Sequence, residues 1–301
     1  MSILTAAGDT WGISGPAFLA IYGGGAAILL LFGIGHRMRI VRGEAGPSSS
    51  RPTAPEIAYL RGGASQALYS SLAGLRAAGA VEVGELGALT TAGPLPTPVN
   101  RLDHAVFEAA HRRVQAGRVA SDSQVATALN DVRDALVRAG WYLDDGRRAR
   151  ARLGGWAMLV LGGLGVARIV DGVSNGRPVT YLVLLSAAVF IAGIALLLVP
   201  RRTAAGRRVV ADALRDNGHL APSAAPSWAT YGLTGAAMGV ALYGTSALWA
   251  ADPAFAADAG LRARPFDHSG LTGAGSSCGG GDGGGGGGCG GGGGCGGGCG
   301  G

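Results

Sequence analysis

The fold of this chain is decided by a charge-free run of 21 residues, VTYLVLLSAAVFIAGIALLLV, at positions 179–199. Pro200 ends the run, and Arg201 and Arg202 follow at once. A helix of about 20 apolar residues crosses the hydrocarbon core of a bilayer, which is about 30 Å thick. The run therefore predicts a transmembrane helix, and it places the chain among integral membrane proteins.

Two further segments predict membrane helices. Residues 14–35 carry no charge, and residues 153–170 are apolar apart from Arg168, whose side chain we expect to reach towards the membrane surface. The short loop 171–178 contains an Asn-Gly turn, so the last two helices are expected to form a hairpin. A cleaved signal peptide does not fit residues 14–35, because no basic residue precedes the apolar stretch.

The basic residues predict the orientation. Eleven of the 25 lie in three clusters beside the apolar runs: Arg37, Arg39 and Arg42; Arg147, Arg148, Arg150 and Arg152; Arg201, Arg202, Arg207 and Arg208. All three clusters fall on one side of the scheme, and basic flanks favour the cytoplasmic side. We therefore expect a protein of the inner (plasma) membrane, with residues 1–13 outside, residues 36–152 in the cytoplasm and the basic juxtamembrane segment 200–227 also inside.

A fourth segment, residues 228–250, leaves two interpretations open. It has no charge, but Thr, Ser, Tyr and Gly dilute its hydrophobicity. Its apolar side chains fall on one helical stripe, formed by Leu233, Ala237, Val240, Ala241 and Leu248. The stripe favours an amphipathic helix at the membrane surface or against the bundle, which leaves the rest of the chain in the cytoplasm. The alternative is a weak fourth span.

Residues 53–146 predict a small cytoplasmic domain between a basic linker, 36–52, and a basic flank, 147–152. A helical pattern ends at Gly79 and leads into a predicted β-hairpin at 81–91, and a similar helix ends at Gly140. Helix, helix, Gly and hairpin resemble a winged-helix domain. DNA binding is not expected, because residues 53–145 hold eight Arg against ten acids, a net of −2, whereas DNA affinity rests largely on phosphate neutralisation.

No recognisable catalytic motif emerges from the polar residues. We interpret three pairs as structural or solvent-exposed rather than catalytic or metal-binding: His104 and His111, Asp144 and Asp145, Ser70 and Ser71. The sequence therefore predicts no cofactor, and a protein that is not an enzyme.

The chain ends in a tail of unusual composition. After a linker at 251–277, the 24 residues 278–301 comprise 19 Gly, one Asp and four Cys. Such a segment has nothing apolar to bury, so we predict that it is disordered. Cys278, Cys289, Cys295 and Cys299 are candidate ligands for a soft metal ion, although their spacing matches no zinc or ferredoxin pattern. Redox chemistry, modification of the cysteines and a simple spacer remain open alternatives.

The order of these parts resembles a family of uncharacterised bacterial membrane proteins. The resemblance is carried by residues 55–63 (PEIAYLRGG), 75–81, 240–244 and 247–248, Asp252-Pro253 and the Cys tail. It implies a mainly α integral membrane protein with three transmembrane helices, or four if 228–250 spans, a small α+β cytoplasmic insert and a disordered Gly-rich tail. It implies no activity. We therefore expect a membrane-anchored interaction or scaffold protein, whose partners are the lipid bilayer and an unidentified protein.

Overall fold

The computed structural model describes residues 15–42, 51–174, 179–224 and 228–261. Its α-helices are α1 Gly15–Arg42, α2 Ala54–Gly62, α3 Ala64–Ala77, α4 Arg101–His111, α5 Ser123–Arg138, α6 Asp145–Ser174, α7 Thr180–Leu197, α8 Ala204–Asp216, α9 Trp228–Tyr243, α10 Thr245–Ala251 and α11 Pro253–Asp258. Two short strands, β1 Val81–Val83 and β2 Leu89–Thr91, pair antiparallel. The elements form an apolar three-helix bundle and a globular domain.

The bundle consists of α1, α6 and α7. Within the described ranges, these are the three helices that are long and apolar enough to cross a membrane, and they cover the three predicted spans. The helix α6 is longer than the predicted span 153–170. It begins at Asp145, so the basic flank 147–152 is its first turns and not a separate segment.

Side chains from all three helices form the bundle core, among them Tyr22, Met158 and Val189. Arg37 of α1 donates hydrogen bonds of 2.8 Å to the carbonyl oxygens of Ala195 and Leu198. These carbonyls lie at the end of α7, where a helix leaves its last carbonyls without partners and carries partial negative charge. Arg37 therefore links the C-terminal end of α1 to the C-terminal end of α7, which leads on to Arg201.

Arg168 does not reach the surface as expected. Its side chain is only 5% exposed, and its guanidinium carbon lies 4.1 Å from the centre of the Phe18 ring of α1. A guanidinium group over an aromatic face is stabilised by cation–π attraction, which partly replaces its lost hydration. The interaction explains why Arg168 packs inwards.

The globular domain is built from residues that precede the membrane hairpin in the sequence and from residues that follow it. Its main core joins Leu72 and Leu75 of α3 with side chains of α2, α4, α5 and the β-hairpin, and also with Ala213 of α8 and Ala241 of α9. A second cluster joins Leu60 of α2 with Leu136 of α5 and Val210 of α8. The predicted domain 53–146 is therefore incomplete. The segment 200–227 contributes α8 rather than only a juxtamembrane stretch, and the expected linker 251–277 begins with α11, which packs on the same domain.

The helix α9 corrects the interpretation of residues 228–250. The segment breaks at Gly244, which has φ 80°, so that α9 and α10 are separate helices, and neither is long enough to span a membrane. Its apolar stripe packs against α3 rather than against lipid or the bundle. Gln66 and Ser70 of α3 donate hydrogen bonds of 2.5 and 2.7 Å to the carbonyl oxygens of Val240 and Ala237. The segment is thus a core helix of the domain.

A short antiparallel connection, which we call the neck, joins the bundle to the domain. Its two chains are residues 141–143, just before α6, and residues 201–203, just after α7. The Leu143 amide donates to the Arg201 carbonyl at 2.8 Å, and the Thr203 amide donates to the Trp141 carbonyl at 3.1 Å. The chain entering the membrane hairpin is therefore fixed to the chain leaving it.

The two similar helices predicted to end at Gly79 and Gly140 have the same geometry at their ends. Gly79 and Gly140 have φ of 68° and 73°, a left-handed conformation that glycine adopts without steric cost. Behind each glycine, an amide closes back onto the helix, from Ala80 to the Leu75 carbonyl and from Trp141 to the Leu136 carbonyl. After Gly79 the chain continues into β1, as predicted, and after Gly140 it continues into the neck.

Candidate functional site

The most unusual exposed feature of the globular domain is the tip of its β-hairpin. Strand β1 pairs with β2 in the register Val81 with Thr91 and Val83 with Leu89. The connection between the strands contains Leu86, which is 93% exposed and has φ 61°. A positive φ is rare for a bulky residue, because its Cβ crowds the backbone. Leu86 therefore combines strained backbone with a fully exposed apolar side chain.

The base of the hairpin is closely packed. Val81 and Leu89 are fully buried in the domain core. Gly93 lies so close to Gly79 that a Cβ at Gly93 would stand 2.7 Å from the Gly79 carbonyl oxygen. At the tip, the Gly84 amide donates to the Ala88 carbonyl at 2.7 Å and closes the turn. The tip is thus held in place by packing and hydrogen bonds, so Leu86 projects from a defined position.

Arg76 connects the hairpin to the end of the domain. Its guanidinium lies 2.9 Å from Glu82 of β1 and 3.0 Å from Asp252, which also caps α11 by accepting from the Phe255 amide. It also stacks 5.3 Å from the centre of the Phe255 ring. Burial lowers the pKa of Arg76, but the bonds to Asp252 and Glu82 outweigh burial and raise it. Arg76 therefore stays charged and joins α3, β1 and α11.

A buried polar cluster lies between α3 and α4. The Ser71 hydroxyl donates to Asp103 at 2.5 Å, and the Asn100 side-chain amide donates to the other carboxylate oxygen at 2.7 Å. The Asn100 side chain in turn accepts from the Asp103 amide as the N-cap of α4. Burial raises the pKa of Asp103, although hydrogen bonding to Ser71 and to the Asn100 backbone opposes the rise. The cluster satisfies its own polar groups, which is the arrangement of a structural clamp.

The other polar pairs from the sequence have separate structural settings. Ser70 is occupied by its bond to α9, whereas His104 and His111 lie exposed on α4. Asp144 accepts from the Gly146 amide, and Asp145 pairs with Arg133. Across the described ranges, no group of three or more His, Cys, Asp or Glu side chains is arranged to hold a metal ion. The candidate ligands Cys278, Cys289, Cys295 and Cys299 lie outside those ranges.

The helix that a winged-helix reading would use for DNA is not exposed. Most of α3 is buried, including Leu68, Leu72 and Leu75, because α2, α4 and α9 surround it. The Leu86 tip was not singled out from the sequence, where residues 86–91 look like one strand. The available signal was the pair of glycines at 84 and 87, which both lie in the five-residue connection 84–88.

In comparisons with known proteins, no protein-family model, curated protein or solved structure matches this chain.

Proposed function

We propose that this chain is a non-enzymatic integral membrane protein that presents a protein-binding surface, centred on the hairpin tip, at the cytoplasmic face of the membrane. The observation that carries the proposal is Leu86, which is 93% exposed at φ 61° on a hairpin with a closely packed base. Strained backbone outside regular structure is characteristic of functional positions. Residues 53–145 carry a net charge of −2, and the helix α3 is mostly buried, so these features support a protein rather than DNA as the partner.

The energetics favour a partner that covers Leu86. Glycine at this position would avoid the strain of a positive φ, which costs on the order of 1 kcal/mol or more for other residues. Full burial of a leucine side chain is worth about 1.5–3 kcal/mol. The strain is therefore offset when the side chain enters a pocket on another protein. In the free protein, where the Leu86 side chain is exposed to water, nothing offsets the strain.

The attachment of the domain supports a role that depends on position. The domain is fixed to the bundle by the neck, and α6 continues from the neck into the bundle without a break. A surface held in this way keeps a defined distance and orientation relative to the bilayer. A flexible tether would not provide this property, which suits a protein that positions a partner at the membrane.

The test is site-specific photo-crosslinking of the full-length protein in its native membrane. We expect a photoreactive residue at Leu86 to form one discrete, heavier adduct, whereas the same residue at Thr127, exposed on the outer face of α5, forms none. Leu86→Gly should weaken co-purification of the adduct's protein without lowering thermal stability. A smear at both positions, or no adduct at Leu86, would contradict the proposal.

A second candidate function lies in the cysteine tail. The last described residue, Leu261, is buried against the globular domain, so the chain leaves the structure on the domain's side of the bundle. If that side is the cytoplasm, the four thiols are kept reduced and can bind a soft metal ion or be modified. Intact-mass measurement after loading with Zn²⁺ or Cu⁺ tests this function. An unchanged mass, for both the wild type and Cys289→Ser, would remove it.

A further inference from the structure

Six arginines gather where the membrane hairpin meets the globular domain. We call them the arginine collar: Arg61, Arg148, Arg152, Arg201, Arg202 and Arg207. Arg152 immediately precedes the apolar part of α6, and Arg201 follows the end of α7 by four residues. If α6 and α7 span a bilayer, the collar therefore lies at the level of the lipid headgroups on the domain's side.

The fold, and not the sequence order, brings the collar together. The neck pairs residues 141–143 with residues 201–203, which places the start of α6 beside the residues that follow α7. The Arg202 guanidinium also donates to the backbone carbonyl of Arg61, at the end of α2. Arg148 and Arg152 lie one turn apart on α6, and both the Arg152 and the Arg201 charges act on Arg148. The fold thus brings Arg148 and Arg152 beside Arg201, and it brings Arg202 beside Arg61.

Three arginines of the collar, on α6 and just after α7, lack acidic partners in the described part of the chain. Among the described residues, no carboxylate lies within ion-pair distance of Arg148, Arg152 or Arg201, since Asp145 pairs with Arg133 instead. The Nε atoms of Arg148 and Arg152 are shielded from solvent and have no acceptor in the described part of the chain. Burial, and then the like charge of Arg202, lowers the pKa of Arg61 to about 10. The arrangement calls for an anion.

We propose that the arginine collar binds the phosphate group of an anionic phospholipid in the leaflet on the domain's side. Guanidinium groups bind phosphate oxygens through paired, charge-assisted hydrogen bonds, which an ammonium group cannot reproduce. A lipid phosphate is held at the depth of Arg152 and Arg201 by its own acyl chains, so it needs no recruitment from solution. Anionic leaflets attract each nearby basic residue by about 1 kcal/mol, even before specific contacts form.

Lipid binding would also fix the orientation of the domain relative to the membrane. A headgroup shared by α6 and the residues after α7 would relieve the repulsion among the arginines and would stabilise the neck. We therefore expect the protein to be more resistant to heat in membranes that contain anionic lipid. This stabilisation is a consequence of lipid binding alone, and it does not depend on a protein partner at Leu86.

The experiment uses the full-length protein in nanodiscs of phosphatidylcholine, with or without phosphatidylglycerol. Native mass spectrometry should show phosphatidylglycerol retained on the released protein in excess over its share of the disc, and the melting temperature should rise when it is present. Arg148→Gln/Arg152→Gln should weaken the preference on the order of 30-fold, about fivefold for each charge removed. Arg148→Lys/Arg152→Lys should keep part of it.

The matched control is Arg101→Gln/Arg118→Gln, which removes the same charge from exposed positions elsewhere on the domain and should leave the lipid preference unchanged. A glutamine variant that melts no lower than wild type in pure phosphatidylcholine shows that the fold is intact. Equal retention of both lipids by wild type would overturn the proposal, and so would an unchanged preference in Arg148→Gln/Arg152→Gln. Equal stabilisation by inorganic phosphate in detergent would assign the collar to soluble phosphate and would also overturn it.

Discussion

Gly206 gives the sharpest test of the neck, because an added methyl group has no room there. The residue lies in the first turn of α8, next to the neck. A Cβ at Gly206 would stand 2.3 Å from the Trp141 carbonyl oxygen and 3.1 Å from its carbonyl carbon. Real Cβ atoms essentially never approach closer than 3.0 Å, so Gly206→Ala requires a movement of 0.7 Å (3.0 − 2.3) between two backbones.

The cost follows from what this movement disturbs. It separates the chains joined by the Thr203 amide and the Trp141 carbonyl, and by the Leu143 amide and the Arg201 carbonyl. Two weakened hydrogen bonds cost about 1 kcal/mol each, and the steric strain costs about 2 kcal/mol. The better helix propensity of alanine returns about 1 kcal/mol. The expected loss is therefore about 3 kcal/mol, or roughly 6–12 °C in melting temperature.

The assay is thermal unfolding of the purified full-length protein, with Gly218→Ala as the matched control. No atom lies within 4 Å of a Cβ at Gly218, so this control should change the melting temperature by little. Gly206→Ser should be at least as destabilising as Gly206→Ala, since it adds further atoms at the same place. A Gly206→Ala protein as stable as the Gly218→Ala control would show that residues 141–143 and 201–203 do not pack as described.

Three further predictions concern the globular domain. Burial raises the pKa of Asp103 above its ordinary 3.8. The stability that protonated Asp103 contributes to the fold is therefore complete below pH 3.8 and is lost as the pH rises through the folded-state pKa. Asp103→Asn should flatten the acid-side pH dependence of the melting temperature, and an unchanged dependence would contradict the clamp at Asp103. Gly79→Ala forces a left-handed backbone onto alanine and should cost about 1–2 kcal/mol in thermal unfolding, whereas Gly117→Ala should not. Asp252→Ala removes the cap of α11 and the partner of Arg76, so limited proteolysis should cut α11 sooner than in wild type, and equal cutting rates would count against the Arg76 connection.

The membrane part of the fold could be predicted from the sequence because its signal is local. Hydropathy and the basic flanks identify the three candidate spans without any knowledge of their packing. The helix ends at Gly79 and Gly140 could also be predicted, since a glycine after an apolar helical stripe is a local C-cap signal. The inward packing of Arg168 could not be predicted from the sequence, because it depends on Phe18, which is far from Arg168 along the chain.

The extent of the globular domain was not predictable from the same signals. Residues 141–143 and their partners 201–203 are separated by the whole membrane hairpin, so no local pattern indicates their pairing. The environment of segment 228–250 could not be predicted for a second reason. A charge-free stripe of small and apolar residues has the same hydropathy whether it faces lipid or a protein core. Only the partners on α3, Gln66 and Ser70, distinguish the two environments.

The hairpin tip illustrates a third limit. The β-hairpin itself was predicted from alternating residues after Gly79, but its connection was not. Whether Leu86 faces the core or solvent depends on the register Val83 with Leu89, which the turn geometry sets. The candidate binding residue therefore emerges only once the two strands are paired.

Residues 228–261 belong to the globular domain, so we expect them to lie on the same side of the membrane as residues 51–143. This expectation is tested most directly by labelling single cysteines in whole cells with a membrane-impermeant maleimide, after all four tail cysteines are changed to serine. The informative positions are Gln124→Cys on α5, Ala257→Cys on α11 and Ser174→Cys at the far end of α6, all exposed. We expect labelling of Ser174→Cys in intact cells, and labelling of Gln124→Cys and Ala257→Cys only after permeabilisation. An Ala257→Cys protein that is labelled in intact cells, while Gln124→Cys stays protected, would contradict it.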